Sequence, residues 1–209
     1  MINLRTGLLP HQQAAFDKLK GLKIGALYME MGTGRTRTTL QIIDHRLERG
    51  KIKHVLWLCP CSVKQNLKDD ITKHAGNALP YITIHGIESL SSSIRLFELL
   101  KKYVSTAPTM IVVDESNLVK NFHAIRTKRI IELAAKCKYR IILNGTPIGR
   151  SEEDLFAQWY VLDWRVLGYK SPYSFAANHL EYDDYGRVRR CLNTSYLTEK
   201  IAPYSYQVC

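Results

Sequence analysis

The chain predicts an α/β fold: three layers, with a mainly parallel central sheet between helices, followed by an irregular C-terminal extension. Two observations carry that expectation. Five short runs rich in β-branched and aromatic residues are mostly apolar throughout rather than alternating, as expected of strands covered on both faces. Amphipathic stretches of helical length separate them, and strand–helix alternation of this kind closes by right-handed crossovers. Ligand sites in such a sheet lie outside the carboxyl ends of the strands.

In chain order, the runs are "IGALYM" (24–29), "HVLWLC" (54–59), "YITIH" (81–85), "TMIVVD" (109–114) and "RIILN" (140–144). The helical stretches are 11–20, 35–49, 62–74, 93–104, 124–137 and 151–162. The last has a start signal, with Ser151 as N-cap and Asp154 three residues on. After Leu162 the pattern changes: many tyrosines, a turn at "DDYG" (183–186) and a basic cluster, "RVRR" (187–190). Residues 1–162 are therefore expected to form the main domain, and 163–209 an appended segment without a core of its own.

The 209 residues suffice for one large domain or two small ones. An apolar fraction of 45% and a charged fraction of 23% are ordinary for a globular chain. No apolar run reaches the length of a membrane span, and "MINLRTGLLP" lacks the apolar core of a secretory signal. The expectation is a cytoplasmic protein. Five cysteines, an odd number, form no disulfide framework, and Cys59 and Cys61 lack a second pair at zinc-ligand spacing. The net charge of +11 points to a polyanionic partner, nucleic acid being the usual one.

The stretch "MEMGTGRTRTTL" (29–40) follows an expected strand and opens an expected helix, the context that distinguishes a phosphate loop from a chance pair of glycines. Gly32, Thr33 and Gly34 bring backbone N–H groups close to phosphate oxygens at a helix start. Thr36 holds the hydroxyl position suited to Mg²⁺. Downstream, "IVVDES" ends an apolar strand in Asp114 and Glu115. An aspartate there holds Mg²⁺, directly or through water, and an adjacent glutamate orients or deprotonates the attacking water.

Together these motifs resemble the first RecA-like lobe of superfamily 2 helicases, in particular the Snf-type DNA translocases and their phage relatives. The resemblance runs in order over nearly the whole chain. "LLPHQ" (8–12) is similar to the segment whose glutamine, here Gln12, reads the adenine edge. "MGTGRT" (31–36) resembles motif I, "LCPCSVKQNLKDDI" (58–71) motif Ia, and "IESLS" (87–91), weakly, motif Ib. "DESNLVKN" (114–121) resembles the Snf-type motif II, and "LNGTPIGRSEEDLF" (143–156) motif III with its following helix. The resemblance implies ATP and Mg²⁺ as cofactors and double-stranded DNA as partner. It implies a second RecA-like lobe, which these residues do not contain, and a bacterial protein or a phage protein in the host cytoplasm. It makes Gly145, Thr146 and Pro147 the element coupling nucleotide state to nucleic acid. Ser62, Lys64, Ser89, Lys120, Asn121 and Arg150 become candidate nucleic-acid contacts, touching phosphates that position without reading sequence.

Three positions depart from the family pattern: Arg35 replaces the phosphate-loop lysine, Asn117 a histidine, and Asn144 a serine or threonine. Arginine keeps the charge but brings a longer, planar fork, so the exchange is not conservative in a tightly shaped site. Nucleotide binding is expected to weaken and hydrolysis to be slight, the more so without a second lobe to supply a trans cation. The "RVRR" run has three open readings: a backbone-tracking or base-stacking strip, a solvated hairpin, and a surface that would face the second lobe. Two functions stay in view: the ATP-binding motor lobe of a helicase or translocase, and a stand-alone, non-hydrolysing nucleotide- or DNA-binding module. A small-molecule kinase or GTP switch fits neither the glutamine segment nor the Gly-Thr-Pro strand.

Overall fold

The computed structural model describes residues 2–76, 78–145 and 153–208. Each apolar run forms a strand: β1 (Ile24–Met29), β2 (His54–Cys59), β3 (Ile82–Gly86), β4 (Thr109–Asp114) and β5 (Tyr139–Asn144). Helices α1 (Pro10–Leu19), α2 (Arg35–Glu48) and α3 (Lys64–His74) match the first three amphipathic stretches. The fourth, expected at 93–104, forms α5 (Ile94–Thr106), and a short α4 (Ser89–Ser92) that was not anticipated precedes it. Ser93 breaks them with extended backbone, and its hydroxyl accepts from Leu96 N at 3.0 Å, capping α5. Helix α6 (Ile125–Ala135) follows β4. Helix α7 (Glu153–Leu167) runs past its expected end at 162, although Asp163, with extended backbone (φ −168°, ψ 116°), interrupts it there. The expected cap at Ser151 lies outside the described residues.

Beyond α7, where the sequence suggests irregular chain, short elements follow: α8 (Pro172–His179), the antiparallel pair β6 (Leu180–Tyr182) and β7 (Val188–Cys191), α9 (Thr194–Ile201) and β8 (Ser205–Val208). The β6–β7 turn falls at "DDYG" as expected, closed by Gly186 N donating to Asp183 O at 3.0 Å, with Gly186 at φ 74°. Strand β8 was not anticipated. It returns the chain to the main sheet, which has the order β3-β2-β4-β5-β1-β8 with every neighbour parallel.

The period-2 geometry of strands divides two cores between the sheet faces. Leu27, Met29, Val55, Trp57, Met110 and Val112 pack under α1, α2 and α3 through Ala15, Leu19, Leu40, Ile43, Leu67 and Ile71. Ala26, Tyr28, Leu56, Ile111, Val113 and Ile142 face α5, α6 and α7 through Phe97, Leu100, Ile130, Leu133 and Trp159. Phe175, Leu180, Leu197 and Ile201 belong to that second core as well. Because all six strands are parallel, the segments that follow β1, β2, β3, β4 and β5 emerge on one edge.

Candidate nucleotide and nucleic-acid site

Along that edge the chain presents, in spatial order, the turns after β3, β2, β4, β5 and β1. The nucleic-acid candidates after β3 and β2 thus lie at one end, the phosphate loop at the other, and the acidic pair between them.

The phosphate loop turns on two glycines in the left-handed region, Gly32 (φ 86°) and Gly34 (φ 87°), where a side chain is strained. Thr33 N and Oγ1 both donate to Glu30 O, at 3.2 and 2.7 Å, fixing the turn. Gly34 O accepts from Thr38 N and from Thr38 Oγ1, at 3.0 and 3.1 Å, as α2 begins. Gln12, on α1, is buried: its Nε2 donates to Thr33 O at 3.0 Å and its Oε1 accepts from Leu9 N at 3.1 Å. In this arrangement the amide proposed to read adenine is committed to the loop. His11 Nε2 also lies 2.8 Å from Thr33 O, a contact that sequence reasoning missed.

Across β5, Asp114 closes β4 and Glu115 follows it in left-handed backbone (φ 51°, ψ 56°). A non-glycine residue there stores about 1–3 kcal/mol, the kind of strain that gathers at functional sites. Asp114 Oδ1 accepts from Glu115 N at 2.9 Å and helps hold that turn. Arg35 reaches across from the first turn of α2: its Nη2 lies 2.9 Å from Asp114 Oδ1 and 2.5 Å from Glu115 Oε1. The glycine turn and the acidic pair therefore converge, joined through the unusual arginine. Burial pushes the Asp114 carboxyl above the ordinary aspartate range; the Arg35 guanidinium pulls it down without reversing that, and Glu115 adds to the rise.

Beside the loop opens a cavity of about 490 Å³, lined among others by Gly34, Arg35, Thr36, Arg37, Lys73 and His74. That volume lies within the ordinary range for small-molecule sites. Thr36 is among the lining residues, and Arg37, Lys73 and His74 were not anticipated there. Arg37 is almost fully buried; Nε and Nη2 donate to Thr6 O at 2.9 and 2.5 Å and so fasten the N-terminal segment to α2. A run of alternating Arg and Thr reads as a solvated basic face, so nothing in the sequence flagged it. A Thr36 hydroxyl and an Asp114 carboxylate are the hard oxygen donors Mg²⁺ takes, but Asp114 Oδ1 is already engaged by Arg35.

At the other end of the edge, Ser62 is exposed and Lys64 opens α3 half-buried. Cys61 N donates to Glu88 Oε2 at 2.9 Å and Cys61 Sγ lies 3.5 Å from Ser89 Oγ, so the segments that carry the candidates after β2 and β3 adjoin. Lys120 and Asn121 are exposed beyond the short turn after Glu115. Asn121 Oδ1 accepts from His123 N at 2.9 Å, a turn-closing bond. Gly145 N donates to Asn144 Oδ1 at 2.8 Å at the end of β5. Thr146, Pro147 and Arg150 lie outside the described residues. Among the described residues no helix is long and apolar enough to cross a membrane, and no cluster of His, Cys, Asp and Glu suits a metal by itself.

Comparison with known proteins adds four findings. A family model described as the SNF2-related domain matches residues 20–183. The DNA repair and recombination protein RAD54B of Gallus gallus is 26% identical over 199 residues, covering 81% of this chain and 22% of that protein. The chromatin-remodeling ATPase INO80 of Arabidopsis thaliana is 27% identical over 185 residues, 77% of this chain and 12% of its own. The solved Sulfolobus solfataricus SWI2/SNF2 ATPase core in complex with dsDNA superposes with a TM-score of 0.79 at 25% identity, covering 99% of this chain and 45% of that one. This chain thus spans less than a quarter of these curated relatives and less than half of the solved core.

Proposed function

We propose, since this chain belongs to the SNF2-related domain family, that it is the nucleotide-binding first lobe of a Snf-type DNA translocase, impaired in hydrolysis by Arg35. One observation carries the reading: the phosphate loop and the Asp114–Glu115 pair meet on the edge of a parallel sheet beside a cavity of nucleotide size. ATP and Mg²⁺ are the cofactors the family implies, with Gly32, Thr33, Gly34 and Thr36 cradling phosphate, Gln12 at the adenine side, and Asp114 as metal partner. When bound, the metal would screen phosphate charge. Glu115 is the candidate to orient water, and it does so from strained backbone that Arg35 and the Asp114 turn hold fixed.

Duplex DNA is the proposed partner, consistent with the dsDNA carried by the similar Sulfolobus core and the net charge of +11. Ser62, Lys64, Ser89, Lys120, Asn121 and Arg150 are the proposed contacts, Gly145, Thr146 and Pro147 the proposed coupling element. Residues 1–162 are taken as the lobe and 163–209 as the extension that leads to a second lobe, in a bacterial or phage-infected cytoplasm. Arginine tied to both acids also favours the second reading, a non-hydrolysing nucleotide- or DNA-binding module.

The test is calorimetric titration of ATP with Mg²⁺ into this chain and its Arg35→Lys variant, beside ATPase rates with and without duplex DNA. Binding by both forms, tighter with lysine, supports the lobe. Equal affinity refutes the reading of Arg35, and binding by neither refutes the nucleotide site. DNA-stimulated turnover gained on Arg35→Lys when a second RecA-like lobe is also present decides for the motor over the module.

A further inference from the structure

A second cavity, of about 540 Å³, opens at the opposite end of the sheet, where β1 and β5 begin. Those strands are six residues long, so it lies about 20 Å from the phosphate loop, more than a Debye length at physiological salt. Lys23, Lys138, Arg140 and Arg165 line it, against one carboxylate, Asp163. Backbone pairing holds the cations together: Arg140 N donates to Lys23 O at 2.9 Å as β5 runs beside β1.

Arg140 is fixed in place as a donor. Its Nε donates to Cys137 O and its Nη1 to Leu162 O, each at 2.8 Å, the latter carbonyl standing at the break in α7. Nη2 is left over. It makes no hydrogen bond among the described residues and is not one of the buried nitrogens that go unpaired, so it keeps accessible surface. Asp163 is engaged elsewhere: its Oδ1 accepts from Arg165 N at 3.0 Å and lies 3.3 Å from Arg165 Nη1. Lys23, Lys138 and Arg140 form no ion pair among the described residues. Burial lowers the Arg140 guanidinium from its ordinary value; Asp163 offsets that only in part, and Arg165 adds to it.

Four cations gathered on one carboxylate repel one another until an anion enters. A carboxylate ligand brings one negative charge, whereas a phosphate monoester brings about 1.5–2 and three acceptor oxygens. An anchored guanidinium with ammonium groups beside it suits that group. Leu22, Leu162 and Val166, with the Tyr204 ring, give the cavity an apolar side as well, which favours a phosphate carried on an organic body. We propose that this cavity binds such a phosphate group, at a site separate from the phosphate loop and independent of the nucleotide reading. A nucleic-acid backbone and a free phosphate ester offer the same chemistry, and the test separates them.

The experiment is acylation of lysines by an N-hydroxysuccinimide ester, read by peptide mass mapping, with ribose 5-phosphate or a short DNA duplex as probe. It compares the native chain with the double variant Lys138→Ala/Arg165→Ala, whose altered side chains are exposed. In the native chain a saturating probe should slow labelling of Lys23 at least about threefold and leave Lys102, exposed on α5, unchanged. The variant should need at least about tenfold more probe for the same protection. Protection by ribose 5-phosphate assigns the site to free esters, and protection by the duplex alone assigns it to a nucleic-acid backbone. Protection of Lys23 by neither probe overturns the inference. So does equal protection of Lys102, which is charge screening, or the same probe demand in both chains, which takes the effect out of this cavity. Thermal melting checks that the variant is folded; were it not, the native comparison of Lys23 with Lys102 still decides.

Discussion

Gly34 offers the sharpest way to test how the first helix supports the phosphate loop. Its φ of 87° is a conformation L side chains rarely adopt, and a Cβ there would overlap Gln12 Nε2 and lie 2.9 Å from Gln12 Cδ. Gly32, two residues earlier at φ 86°, has nothing within 4 Å of the same hypothetical atom. Gly32→Ala therefore isolates backbone strain, about 1–2 kcal/mol. Gly34→Ala adds expulsion of the Gln12 amide from Thr33 O and Leu9 N, two bonds of about 0.5–1.5 kcal/mol each, for a total of about 2–5 kcal/mol. Gln12→Ala loses those bonds but makes room. Placed on Gln12→Ala, Gly34→Ala should cost no more than Gly32→Ala does in the native chain, a coupling of about 1–3 kcal/mol. Urea unfolding followed by tryptophan fluorescence measures all four corners of the cycle. Additivity within about 0.5 kcal/mol would refute the claim that Gln12 fills the space beside Gly34.

Three further outcomes are expected. Tyr28→Phe strands the buried Trp159 indole N–H, which donates to Tyr28 Oη at 3.0 Å, and should cost about 1–3 kcal/mol in urea unfolding; a neutral result removes the bond from consideration. Burial pushes the Cys59 and Cys137 thiols up to about 12. Their folded values exceed the unfolded one, so their contribution is complete below the unfolded thiol's titration and is lost as pH rises toward 12. Stability should fall over that window, and at neutral pH maleimide should label exposed Cys61 well before either, as peptide mass mapping would reveal. If duplex DNA lies along the edge, Lys64→Ala and Lys120→Ala should each reduce the slope of log affinity against log salt by about 0.9; an unchanged slope in fluorescence anisotropy removes that lysine from the interface.

Where residues are buried on both faces, the sequence was enough. "IGALYM", "HVLWLC" and "TMIVVD" become β1, β2 and β4 with the same bounds, because continuous apolar runs have no other way to be covered. Strand β8 was invisible since "SYQV" is four residues long and only partly buried, so its pairing comes from the neighbour β1 rather than from its own pattern. Ser93, which divides α4 from α5, is a cap only once its backbone is seen to be extended. For the site, residue types and strand ends were enough to expect the glycine loop and the acids on one edge. What stayed hidden was geometry that no residue type encodes: the left-handed Glu115, the burial of Arg37, and the ion pairs between residues some eighty positions apart.

Helix α7 touches three strands or their turns at once. Gln158 Oε1 accepts from Ser116 Oγ after β4, Trp159 Nε1 reaches Tyr28 on β1, and Leu162 O accepts from Arg140 on β5. A rod bolted to three separate beams rocks against one of them only by straining the other bolts. Swaying of this helix alone would therefore break these three bonds, each worth about 0.5–1.5 kcal/mol.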